Sequence, residues 1–181
     1  MKDAKYIVDS SVFVRKEPFK HYDKECYPKH WANFDKLVDK GIIVSIDKVK
    51  DEITDKGYTF HKEWVKKHKK MFYPTIDNEI APYLNKLSIK FPKWYGKNEK
   101  KADYYLVAHA KVKNLVLVTQ EGINLNASEE NYKIHTVCYK LGARCIPPET
   151  NKNHIFCQNK EKIDFECVSF NELVKREKLY R

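Results

Sequence analysis

Four acidic residues set the chemistry this chain could carry. Asp9 follows the apolar run Tyr6-Ile7-Val8, and Glu121 stands just past a second run, Leu115-Val116-Leu117-Val118. Glu52 and Asp103 fall early in segments with helical apolar spacing. In an open α/β sheet, ligands bind outside the carboxyl ends of the strands, where helix starts also lie. Carboxylates converging there would repel one another unless a divalent cation lay between them. Hard oxygen ligands without histidine suit magnesium or manganese, which keep several waters. Such an ion can activate a water, orient a phosphodiester and offset charge on the leaving oxygen. Ser10, Ser11 and Thr119 are placed to hydrogen-bond the carboxylates or the waters of the ion. Taken singly, each acid is more simply a helix cap or a solvated charge. Only the set points to a metal cleft.

The elements that must position these residues follow from periodicity. Tyr6–Val8, Ile42–Val44, Leu115–Val118 and 143–146 read as short buried strands. Pro28 opens a helix with Trp31, Phe34, Leu37 and Val38 on one face, and Gly41 stops it. Asp47 reads as the N-cap of a helix carrying Val49, Glu52 and Ile53. Further helices are expected over 59–72, 76–89, 99–113 and 134–141, the last ended by Gly142, and Ser169 caps a final one with Glu172 at the capping-box position. Residues 15–27 and 91–97 read as loops, the latter because of Pro92 and Gly96. A polar insertion begins at Pro147-Pro148 and runs into the 160s. The order of elements predicts a single domain over 1–181, an α/β/α sandwich with a central parallel sheet.

Composition narrows the partners. The chain has 181 residues, 42% hydrophobic and 33% charged, the balance of a soluble globular protein. No apolar run approaches the roughly 20 residues of a membrane span, and no signal-peptide stretch precedes the first strand, so a cytoplasmic location is expected. The formal charge of +10 favours a polyanion such as nucleic acid. Arginine contributes only Arg15, Arg144, Arg176 and Arg181, so this lysine bias carries less weight than the total suggests. Lys62, Lys66, Lys67, Lys69 and Lys70 read as a solvated helix face. Lys97, Lys100 and Lys101 precede Asp103 and are better placed to guide a phosphate backbone into the cleft. Trp94 and Tyr95 are expected to pack, with stacking on bases the lesser alternative. His109, six residues beyond Asp103, is expected in a structural role. The five cysteines lack any C-x-x-C pair and suit packing in a reducing compartment; Cys145, His154, Cys157 and Cys167 have the residue types for zinc but not its usual spacing.

Together, Ile7-Val8-Asp9-Ser10-Ser11-Val12-Phe13, Ser45 with Val49 and Glu52-Ile53, Ala102-Asp103, and Val118-Thr119-Gln120-Glu121 resemble a PIN domain. The resemblance is closest to a subfamily catalogued as a domain of unknown function and grouped with VapC-type toxins. Tyr27-Pro28 with Trp31, and Lys133-Ile134 with Cys138, are further echoes. It covers roughly residues 5–146 and resumes weakly at the last helix. It implies an α/β/α sandwich and a magnesium- or manganese-dependent ribonuclease, with Asp9, Glu52, Asp103 and Glu121 as the metal-holding acids and Thr119 as the family threonine. It also implies cleavage to a 5′-phosphate and a 3′-hydroxyl, RNA as substrate and a cognate antitoxin as partner, with a homodimer possible. Ser11 stands where many members have asparagine and Glu121 where many have aspartate; the insertion at 147–167 has no counterpart. Two other readings stay open: a PIN fold that binds RNA or a protein without cutting, and a structure-specific DNA nuclease. A dehalogenase-like phosphatase would need an acid at Ser11, and a receiver domain would need paired acids before its first helix.

Overall fold

Tyr6-Ile7-Val8 lacks polar alternation, the mark of a strand covered on both faces. In the computed structural model of the protein it is β1 (Tyr6–Val8), fully buried. The structure describes residues 3–14, 27–56, 59–148, 155–157 and 163–181. Among these, β1 joins β2 (Ile43–Ile46), β3 (Phe72–Tyr73), β4 (Val116–Val118), β5 (Arg144–Ile146) and β6 (Glu166–Val168) in one all-parallel sheet. The spatial order is β3-β2-β1-β4-β6-β5. The chain leaves β1 toward β2 and β3, then returns to place β4 on the other flank of β1. This makes the β1/β4 boundary a topological switch point, where α/β sheets open a crevice.

Helices flank the sheet, giving the expected three-layer α/β/α sandwich. α1 (Ser11–Val14), α2 (Pro28–Asp39), α3 (Asp47–Lys56) and α4 (Thr59–Lys67) precede β3. α5 (Ala81–Lys90), α6 (Pro92–Asn98) and α7 (Ala102–Lys113) lie between β3 and β4. α8 (Ile134–Lys140) leads into β5, and α9 (Phe170–Arg176) follows β6. An aromatic cluster of Phe13, Trp31, Phe34, Trp64 and Phe170 ties together α1, α2, α4 and α9. α7 packs against β1, β2 and β4, and its Leu106 to Ala110 are all buried. Each large side chain so enclosed contributes roughly 1.5–3 kcal/mol. Gly41 (φ +70°) and Gly142 (φ +86°) adopt the left-handed conformation where the α2 and α8 segments end, as their positions predicted. Among the described residues, no helix is long and apolar enough to cross a membrane.

Four elements differ from expectation. The helix read over 76–89 starts only at Ala81, because Asp77 Oδ1 accepts the Glu79 and Ile80 N–H groups in a turn before it. The segment 59–72 is not one helix: α4 stops at Lys67, and Phe72-Tyr73 becomes β3, paired with Ser45 and Ile46. The stretch 91–97 is not a loop but part of α6, with Pro92 in its first turn, where the missing N–H costs nothing. Trp94 anchors that helix: it is fully buried, and its Nε1–H donates to the Tyr132 carbonyl at 3.1 Å. Trp94 is therefore a packing residue and offers no face to a base. Finally, the insertion region supplies β6, which inserts between β4 and β5. A bridge from Phe156 covers the outer strand at Cys145. The expected loop at 15–27 falls almost wholly outside the described residues, as do Cys26 and His154 entirely.

Candidate functional site

Backbone pairing carries β1 and β4 one residue past their ends. Asp9 N–H donates to Val118 O at 2.9 Å and Thr119 N–H to Val168 O at 3.0 Å. These bonds set Asp9 and Thr119 side by side at the switch point. Asp9 Oδ2 accepts from Ser11 Oγ at 2.5 Å and from Thr119 Oγ1 at 2.9 Å, while among the described residues Oδ1 has only a 3.4 Å contact from Ser10 Oγ. Ser11 Oγ in turn accepts the Gln120 N–H at 3.0 Å, fastening the β4 exit to α1. All three hydroxyls therefore hydrogen-bond the Asp9 carboxylate at this edge.

α3 begins directly after β2 and points Glu52 at the same edge. Its Oε2 accepts from Ser10 Oγ at 2.6 Å, and its Oε1 from Ala102 N–H at 3.0 Å. Ala102 is the first residue of α7, so Glu52 caps the helix that carries Asp103 in its first turn. Glu121 behaves alike toward α8: its Oε2 accepts from Ile134 N–H at 2.9 Å, and its Oε1 lies 3.5 Å from Lys133 Nζ. Asp103 accepts no hydrogen bond among the described residues.

All four acids line one cleft of about 340 Å³, together with Ser10, Ser11, Lys97 and Lys101. Lys100 is exposed and does not line it. Asn98, Glu130, Asn131, Tyr132 and Lys133 complete the wall. None of these five was singled out for the site from sequence, since they arrive on α6 and the turn before α8. Burial, with repulsion from Glu121 and Glu52 outweighing the hydrogen bonds of Ser11 and Thr119, lifts Asp9 to about 6. Burial first, then Glu121, Asp9 and Glu52, pushes Asp103 well above the carboxylate range, with Lys101 a partial offset. Lys97 is turned to Asn131 Oδ1 at 2.8 Å.

Among the described residues, no three His, Cys, Asp or Glu side chains are grouped as a ready-made metal ligand set. The zinc alternative gains nothing: Cys145 and Cys167 are paired on neighbouring strands and buried with Cys138, as packing residues are. His109 is buried, its Nε2 3.1 Å from Thr75 O, in the structural role expected. Lys62, Lys66, Lys67, Lys69 and Lys70 are exposed and do not line the cleft.

No curated protein and no solved structure matches the chain. A family described as Domain of unknown function (DUF4411) matches residues 6–154, a span that holds all four acids and five of the six strands. On that match, the chain belongs to the DUF4411 family.

Proposed function

We propose that the chain is a magnesium- or manganese-dependent endoribonuclease of PIN type, acting in the cytoplasm as the toxin of a toxin–antitoxin pair. The observation that carries this reading is Asp103, a half-buried carboxylate that has no hydrogen-bond donor among the described residues and three further acids around it. Such a group suits a site that takes up positive charge from outside the chain. The donor set fits a hard divalent ion. Both Asp103 oxygens and Asp9 Oδ1 remain open or nearly so, and magnesium needs only one or two carboxylates beside its waters. A bound ion would supply an activated water and offset charge on the phosphate oxygens. The chain does the rest. Ser11 and Thr119 hold Asp9, Glu52 holds the start of α7, and Lys97, Lys101 and Lys133 give the cleft cations for a phosphate backbone. The toxin role and the antitoxin partner rest on the resemblance alone.

A second reading, a PIN-type fold that binds RNA without cutting it, also has an observation in its favour. Among the described residues no ready ligand set of three exists, and both glutamates are engaged by helix starts. Incubating the protein in manganese with single-stranded RNA, flap DNA and duplex DNA separates the readings. Shortening of RNA alone is expected. Cutting of the flap would move the assignment to a DNA nuclease, and retention of intact RNA would favour the binding module.

A further inference from the structure

The cleft's carboxylates divide into two kinds. Both oxygens of Glu52 are engaged, by Ser10 Oγ and by Ala102 N–H. Both oxygens of Glu121 are engaged too, by Ile134 N–H at 2.9 Å and by the Lys133 ammonium at 3.5 Å. Among the described residues the aspartates are the open ones: Asp9 Oδ1 has one long contact, and Asp103 accepts no hydrogen bond. Two metal ions would need bridging and flanking carboxylates, and this cleft has about enough free oxygens for one ion. Three lysines already line it, Lys97, Lys101 and Lys133, and Lys97 is turned to Asn131. Lys133 directly precedes α8, so the Ile134–Glu121 bond fixes its backbone, and its side chain is 56% exposed on the cleft wall. An ammonium tethered at its root but reaching solvent can meet a phosphate oxygen as a point charge.

Resting on the ribonuclease reading, we propose that the cleft takes one divalent ion, on Asp9 and Asp103, and that Lys133, positioned by Glu121, provides the second positive charge, contacting a phosphate oxygen of the RNA. Glu121 is then a positioning residue and not a metal ligand.

Two titrations test this. In the first, manganese is titrated calorimetrically into the native protein, Asp103→Asn and Glu121→Gln, each checked for folding by circular dichroism. One ion per chain is expected, with affinity lost by more than about tenfold in Asp103→Asn and kept within about threefold in Glu121→Gln. In the second, a fluorescein-labelled mixed-sequence oligoribonucleotide is bound in calcium, across a range of salt, by native protein, Lys133→Met and Lys133→Arg. Lys133→Met should bind about tenfold more weakly with a salt slope lower by about 1, and Lys133→Arg should recover both. A change in slope reports a lost phosphate contact, which a purely structural lysine would not give. Two ions per chain, a Glu121→Gln loss matching that of Asp103→Asn, or an unchanged slope would overturn the proposal while leaving the nuclease reading intact. A folded native protein that binds neither manganese nor RNA would bring down both.

Discussion

At Asp9 and Asp103 the fold holds two acids where ionisation is disfavoured, and the consequence is a pH-dependent stability. The Asp9 carboxyl sits at about 6, raised chiefly by burial. A carboxyl raised in the folded state binds protons there that the unfolded chain has already released. Its contribution is therefore complete below about pH 4 and lost as pH rises through the folded value. Asp103 shifts in the same direction. The cation-free protein should thus melt several degrees lower at about pH 8 than at about pH 5, and millimolar manganese should restore much of the difference. Asp103→Asn should raise cation-free stability at about pH 8 by on the order of 1 kcal/mol and abolish the manganese effect. Thermal melts of the two proteins with and without the ion decide it: a manganese shift that survives in Asp103→Asn would mean the ion binds elsewhere. Such a trade of stability for a working cleft is common at functional sites.

At the scale of elements, helix starts around the cleft are capped by side chains from far along the chain. Glu52 caps α7, Glu121 caps α8, and Glu129 Oε1 accepts the Lys93 and Trp94 N–H groups at the start of α6 at 2.7 and 3.3 Å. Glu52→Ala would leave the buried Ala102 N–H without its acceptor, at a cost of about 1–3 kcal/mol, whereas Glu52→Gln keeps an acceptor and should cost much less. Urea midpoints at unchanged slope would show this, and equal loss in both variants would contradict it. These remote caps also mark what the sequence could and could not disclose. Ser169, whose Oγ accepts from Glu172 N–H three residues on, is a local cap and is readable from spacing. A cap from Glu129 to Lys93 and Trp94 has no local signature, so α6 reads as a loop from its proline and glycine. β3 and β6 escape for a related reason. Phe72-Tyr73 and Glu166-Cys167-Val168 are too short for periodicity, and they become strands through the neighbours they pair with. The strand-end acids were legible because the apolar runs before them are unambiguous; Lys133 and Asn131 were not, because their place depends on where α6 and α8 are pinned.

For the whole molecule, the position of β6 makes the C-terminal segment part of the sheet and not an appendage. The family match ends at residue 154, yet β6 lies at 166–168 between β4 and β5. Without it, β5 has no partner in the sheet, and Thr119 loses the Val168 carbonyl that aligns the end of β4. A chain cut after His154 should therefore fail to fold, seen as loss of cooperative melting, while the full chain melts in one transition. A cooperative, manganese-responsive 1–154 fragment would refute that. The chain carries a net charge of +10, and its acidic cleft is lined as well by Lys97, Lys101 and Lys133, a combination that suits a polyanionic ligand. The central claim is that this floor performs metal-dependent cleavage of RNA. Its most direct test is a mixed RNA pool in manganese, comparing native protein with Asp103→Asn. The account predicts fragments from the native protein and intact RNA from the variant; equal cleavage by both would place the activity outside this cleft and contradict the account.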